Sequence, residues 1–283
     1  MAVRLTSIHR YPVKSMRGAS CETAVVEPWG LAGDRRWMVV DAEGGFVTAR
    51  RHPRLLAITT EITATGVRLS LPGAETLEVG LPDPAHQVPV RIWSSVLTAA
   101  EAADAAGWLS DLLGFDARLV YLDDPTRRAV SPTHGRPEDR VGFADGYPLL
   151  VTTEASLAAL NAEITAAGSP AVPMHRFRPN LVVDGEGAWD EDRWRLVRIG
   201  DAVFRAVKGC ARCVITTHAP HPASGRVDRD REPLRTLARI RRFGSGVWFG
   251  VNLIPDTPGV TIAAGDAVEV LEVADAGTPP LGS

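Results

Sequence analysis

The chain has 283 residues, 45% of them apolar, enough for one large or two ordinary domains with a sizeable core. A formal net charge of −3, the lack of any apolar run near the ~20 residues of a membrane span, and the lack of a signal-like run after Met1 argue against nucleic acid and membrane as partners. Three cysteines are too few for a disulfide framework or a four-thiolate iron–sulfur cluster, so a reducing, cytoplasmic setting is expected.

Gly 26 and Pro 21 favour many short strands over long helices. Residues 3–11 alternate as a first strand that Pro12 ends, and the turn that follows, Tyr11-Pro12-Val13-Lys14-Ser15-Met16-Arg17-Gly18, carries an amine, a hydroxyl and a guanidinium. That turn reads either as an ordinary charged loop or as an anion cradle. A second strand over 22–27 leads to the tight turn 30–36, where Gly33 is expected to take a positive φ and so aim Asp34 and Arg35. A hairpin follows, with strands at 37–40 and 46–49 joined by Asp41–Gly45 and closed by Arg50 and Arg51. Further strands are expected at 55–63, 67–71, 77–79 and 87–93, then a helix over 99–113 capped by Gly114 and a strand at 118–122. Residues 123–148 are polar and irregular, a linker or lid whose basic residues, Arg127, Arg128, His134, Arg136 and Arg140, read as solvated.

A strand at 149–152 opens the second half, with Thr153 as N-cap of a helix over 154–167 that Gly168 ends; this strand-to-helix turn is a candidate anion site. Arg178 and Asn180 stand at the mouth of the strand 181–183. A basic helix within 228–243 is expected to turn its arginines to solvent, and strands at 247–254 and 260–271 finish the chain.

The richest stretch for chemistry is 207–217, Val-Lys-Gly-Cys-Ala-Arg-Cys-Val-Ile-Thr-Thr. An apolar strand leads in, Gly209 breaks it before the first sulfur, and β-branched residues lead out as if into another strand. Arg212 could lower the pKa of either thiol. Three readings stand. Cys210 and Cys213 are two small buried residues; or they form a redox or zinc pair, with His218 and His221 completing a zinc set in a segment stiffened by Pro220 and Pro222; or one thiolate holds a heavier metal.

Five short patterns occur in order: Tyr-Pro-Val-Lys-Ser at 11–15, Gly-Asp-Arg at 33–35, Thr-Ala-Arg at 48–50, Phe-Arg-Pro-Asn at 177–180 and Cys-Ala-Arg-Cys at 210–213. Together they resemble the MOSC family (molybdenum cofactor sulfurase C-terminal domain) with its N-terminal β-barrel partner, in the branch of the mitochondrial amidoxime-reducing component and its bacterial counterparts. The resemblance spans roughly residues 3–271. It implies a mainly β fold with a few helices (α+β), a β-barrel-like domain over 1–124 and a MOSC domain over 125–275, with the first strand free to pack against the second domain.

It also implies a molybdenum cofactor, molybdopterin-bound molybdenum, with Cys213 as the protein's metal ligand. Lys14, Ser15, Arg35, Thr153, Arg178 and Arg212 match positions that hold the pterin and its phosphate, and Asn180 and Asn252 are further candidates. The implied activity is reduction of small N-hydroxylated or N-oxide substrates. The chain ends soon after Glu272 without the ferredoxin domain of some bacterial relatives, so electrons are expected from a separate electron-transfer protein and reductase. It is also expected to lack the membrane-targeting segment of the mitochondrial relatives. Two rival readings are a sulfur carrier, with a persulfide on Cys213, and a non-enzymatic zinc module built on Cys210, Cys213, His218 and His221.

Overall fold

Short apolar runs punctuated by glycine and proline fold as strands, with three α-helices among the residues that this computed structural model describes, 3–221, 223–275 and 277–283. The largest sheet runs in the order Ala19–Cys21, Leu5–Arg10, Leu181–Val183, Leu149–Thr153, Gly246–Pro255, Ala202–Ala211, Trp194–Ile199, Val268–Val273, with Arg242–Phe243 paired beside Gly246–Pro255. Leu149–Thr153 and Leu181–Val183 are its one parallel pair, and the helix Glu154–Ala166 lies in the connection between them. The first strand therefore works with the second half of the chain: Leu5 pairs with Val183 and Ile8 with Leu181. Leu5 and Ile8 sit in one core with Val151, Phe204, Val251 and Leu253.

A four-stranded antiparallel sheet, Trp37–Asp41, Ala117–Tyr121, Ser95–Ala102, Gln87–Ile92, organises the intervening segment. Val39 and Leu119 enter one core, shared with Leu55, Leu69 and Leu109, while Met38 and Val120 enter another with Ile92 and Phe143. A smaller sheet, Thr59–Ile62, Gly66–Ser70, Leu77–Gly80, covers the first of these cores through Val67, Leu69 and Val79.

Several elements differ from the sequence-based expectation, each for a local reason. Residues 99–102 extend the strand Ser95–Ala102, where Ala100 pairs with both Gln87 and Tyr121, and the helix is only Ala106–Leu113. Alanine's helix propensity, a fraction of a kcal/mol per residue, loses to cross-strand pairing on two sides. Gly114 does close that helix, at φ 78°. The strand expected over 55–63 begins only at Thr59, because residues 53–57 form a 3-10 turn whose first position is taken by Pro53 with φ preset. Val214–Thr217, expected to be extended, is also a 3-10 turn: Thr216 Oγ1 donates to the Cys213 carbonyl at 3.0 Å and Thr217 Oγ1 to that of Val214 at 2.7 Å. Local hydroxyl-to-carbonyl bonds override β-propensity there.

The segment 123–148 is not a solvated linker. Val130, Val141 and Phe143 are buried, and Arg128 is 4% exposed, donating to the carbonyls of Gly142, Ala144 and Asp145. Gly142 approaches the turn at Arg35 so closely that a Cβ there would meet the Arg35 carbonyl oxygen at 2.9 Å. Arg241, at the end of the basic helix Leu234–Ile240, is likewise buried and ion-paired with Asp192, so that helix does not offer all its arginines to water.

Candidate functional site

The turn after the first strand, the turn at Gly33, the packed loop at 143–148, the entry to Leu181–Val183 and the cysteine stretch meet around one cavity of about 180 Å³. Lys14, Ser15, Arg35, Arg178, Asn180, Arg212, Cys213 and Asn252 all line it. Three of those residues hold left-handed backbone conformations that side chains with a Cβ rarely adopt: Ser15 at φ 68°, Arg35 at 46° and Arg178 at 56°. Each such residue costs on the order of 1–3 kcal/mol and persists where the surroundings dictate it, typically at binding sites. Gly33, at φ 79°, makes the turn that presents Arg35, as its position in the sequence predicts.

The wall is strongly cationic. Lys14, Arg35, Arg50, Arg178 and Arg212 face one carboxylate among the lining residues, Asp145. The Lys14 ammonium donates to Asp145 at 2.5 Å and to the Phe143 carbonyl at 2.9 Å, and Arg50 reaches the other Asp145 oxygen at 2.5 Å. Burial lowers the Lys14 pKa to about 8 against the pull of Asp145. Burial would raise that of Asp145, but Lys14 and Arg50 hold its carboxyl well below the usual range. Arg35 and Arg178 both lie 4.3 Å from the centre of the Tyr11 ring. Arg35 is anchored by Asp34 at 2.6 Å and by Asn180 Oδ1 at 2.9 Å, while Arg178 donates to the Met16 carbonyl at 2.7 Å. Burial lowers the Arg178 pKa to about 10, which leaves it charged at neutral pH.

The two asparagines act mainly as pins. Asn180 also accepts from Leu150 N and donates to the His9 carbonyl, tying the first strand to the sheet. Asn252 donates to the carbonyls of Lys208 and Gly209 at 3.0 and 3.3 Å, holding the strand that carries Cys210.

Both sulfurs line the cavity, are free and are partly buried, yet they have different neighbours. Arg212 Nη1 points to Cys210 Sγ at 2.7 Å, and its Nη2 donates to the Phe177 carbonyl at 2.6 Å. Cys213 instead faces Arg50. Burial works against the Arg50 charge, but Asp145 and Cys213 together raise its pKa. The zinc set does not assemble. His218 is buried with neither ring nitrogen hydrogen-bonded, and His221 Nε2 pairs with Asp228 at 2.8 Å. Pro222 lies outside the described residues. Among the described residues no three His, Cys, Asp or Glu side chains converge to hold a metal. A free thiol beside five cations suits a different ligand, an anionic, phosphate-bearing group carrying a soft metal, for which one thiolate from the protein is enough. The Arg212 Nε, buried without a partner, is a further donor such a group would satisfy.

Thr153 is not brought to this cavity. Its hydroxyl caps the helix Glu154–Ala166 by accepting from Ser156 N at 3.1 Å, and it meets Glu191 at 3.1 Å, so no anion reaches that helix start. Arg50, Asp145 and Tyr147 line the cavity but were not among the residues expected there. Arg50 had a signal, the Thr-Ala-Arg triplet; Asp145 and Tyr147 sit in a segment with no periodicity to mark them.

The Thr153 cluster carries a prediction of its own. Glu191 is fully buried, and burial raises its pKa to about 7, against the hydrogen bond from Ser156 Oγ at 2.8 Å. Between its unfolded pKa, about 4.5, and about 7 the folded chain holds more protons than the unfolded one, so stability falls as pH rises across that window. Denaturant titrations of Glu191→Gln should lose that slope, worth up to about 3 kcal/mol. A slope unchanged by the substitution would assign the effect to another group.

Two family models match the sequence: the MOSC N-terminal beta barrel domain over residues 2–116 and the MOSC domain over 138–269. The chain is 33% identical to mitochondrial amidoxime-reducing component 1 of Homo sapiens, over 92% of its own length and 81% of the relative's. The Mus musculus protein of the same name is 35% identical, over 92% and 80%. Molybdenum cofactor sulfurase of Oryza sativa subsp. japonica is 29% identical over 89% of this chain, which corresponds to 32% of that longer protein.

Proposed function

The chain belongs to the MOSC family, and on that footing we propose that it is a molybdenum-cofactor-dependent oxidoreductase that reduces N-hydroxylated or N-oxide compounds with electrons from a separate donor protein. The observation that carries this reading is the free Cys213 thiol on the wall of a cavity lined by five cationic side chains. When bound, the cofactor supplies the two-electron redox chemistry. Cys213 would supply the sulfur ligand, with the Arg50 guanidinium on the same cavity wall. Lys14, Arg35 and Arg178 converge as the anion cradle, while Arg212 holds the cysteine strand against Phe177 and offers its buried Nε. Asp145 accepts from both Lys14 and Arg50 and so keeps the two cations oriented across the cavity rather than splayed apart by repulsion. The similarity to amidoxime-reducing components supports the N-hydroxylated substrate class. No helix among the described residues is long and apolar enough to cross a membrane, and three free thiols suit the reducing cytoplasm in which we place the protein.

Protein expressed with an active cofactor pathway should contain molybdenum and release a fluorescent pterin on denaturation. It should reduce an amidoxime or hydroxylamine with a reduced viologen, and should do nothing with NADPH until a carrier and reductase are added. Activity from NADPH alone would contradict the separate donor. The similarity to a molybdenum cofactor sulfurase favours one alternative, a sulfur carrier with a persulfide on Cys213. Cyanide-labile sulfur without molybdenum would select it.

A further inference from the structure

A second cavity, of about 200 Å³, lies beside the first, and the two share Arg178 and Ile215 in their walls. Segments far apart in sequence build it: His9 from the first strand, Arg17 from the turn after it, His175 and Arg176 from the 3-10 turn before Arg178, and His218 from the strand after the cysteines. Its lining includes no aspartate or glutamate. Three arginines thus line it, Arg17, Arg176 and Arg178, with no carboxylate in the wall itself; Asp230, which acts on Arg176, stands outside it, and Arg178 is shared with the first cavity. Arg176 keeps its place by donating to the Thr216 carbonyl at 3.0 Å. Tyr11, Leu56 and Ile215 add an apolar surface.

His218 gives an independent sign that the cavity is built for a ligand. It is 4% exposed, and neither ring nitrogen has a hydrogen-bond partner. Burial, with Arg229 and Arg176 nearby, lowers its pKa, so at neutral pH it offers one donor and one acceptor. A buried imidazole with both nitrogens idle is unfavourable unless something else satisfies it, and among the described residues no protein group does so.

We propose that this second cavity is a binding site for a small organic oxyanion, a carboxylate or phosphate monoester with a flat apolar body. The oxyanion would take the guanidinium fork geometry, and the body would lie against Tyr11, Leu56 and Ile215. Arg17, Arg176 and His218 do not line the thiol-bearing cavity, so the site is separable from it by mutation. The proposal stands whether or not the first cavity holds molybdenum.

Calorimetric titration of the full chain, as purified with its bound cofactor, should show saturable binding of phenyl phosphate and benzoate, with inorganic phosphate much weaker. Arg17→Ala and Arg176→Ala should each weaken both organic probes about tenfold or more, the scale of one lost charge-assisted contact. Arg17→Lys should recover part of the loss, and Lys14→Ala should change little when it and the parent are both compared free of cofactor. Molybdenum and pterin content should be the same in both arginine variants as in the parent. Failure of either probe to bind overturns the proposal, as does affinity that follows Lys14→Ala rather than Arg17→Ala. Pterin content that falls together with probe binding would make the cavity an extension of the first site and overturn its independence. Inorganic phosphate binding as tightly as phenyl phosphate would overturn the organic body.

Discussion

Cys213→Ser is expected to abolish metal-dependent activity and empty the site of metal, while Cys210→Ser keeps most of the bound metal. Serine oxygen is a hard ligand with a pKa far above that of a thiol, so it cannot replace a thiolate on a soft metal. Removal of a partner one shell out from a metal costs about 10–100-fold in affinity or activity, and loss of the ligand itself should exceed about 100-fold. The local structure separates the two sulfurs. Cys213 stands at the start of the 3-10 turn Val214–Thr217, its carbonyl held by Thr216 and its sulfur facing Arg50. Cys210 lies on the strand Ala202–Ala211 and is occupied by the Arg212 guanidinium. Metal analysis of both variants, beside circular dichroism to confirm folding, checks the assignment. The reverse pattern would make Cys210 the ligand, and equal loss in both would restore the paired Cys-x-x-Cys reading.

The cavity was legible where short patterns carry geometry. Gly33-Asp34-Arg35 announces a turn that aims a guanidinium, and Arg178 before Pro179 announces a side chain at a strand mouth; both face the cavity. Thr153 misleads for a physical reason. A threonine at a helix start reads as an anion site, but whether its hydroxyl is free depends on what is packed over it, here Ser156 and a buried Glu191. Nothing in the sequence near Thr153 marks Glu191 as its partner. The loop 123–148 fails in the opposite direction. It lacks periodicity because its order comes from Arg128 gathering three carbonyls and from Phe143 entering a core, contacts that leave no repeating pattern. Among the secondary elements, the errors at 53–57, 99–102 and 214–217 fall where a proline, a cross-strand partner or a hydroxyl overrides residue propensity.

The other large effect is expected in the anion cradle, where Arg178→Ala and Lys14→Ala should each lower cofactor retention tenfold or more without unfolding the chain. A charge-assisted hydrogen bond to a phosphate is worth about 1.5–3 kcal/mol, and each side chain supplies at least one. Arg178→Lys should be a poor substitute, because an ammonium cannot both bridge to the Met16 carbonyl and present a fork to the cavity. Lys14 adds a test by pH with two opposite signs. Its pKa in the folded chain is lowered from 10.5 to about 8 by burial, so between those values the unfolded chain holds more protons. The cofactor-free protein should therefore gain stability as pH rises from about 8 towards 10.5, by up to about 3 kcal/mol. Over the start of the same window Lys14 loses its charge in the folded state, so retention of a phosphate-bearing cofactor should fall as pH passes about 8. Lys14→Met should remove both limbs, leaving stability and retention flat across that range. Retention that keeps its pH dependence in Lys14→Met would transfer the titration to another group. Unchanged cofactor content in both the Arg178 and Lys14 variants would reduce these cations to neighbours of the cavity rather than its cradle.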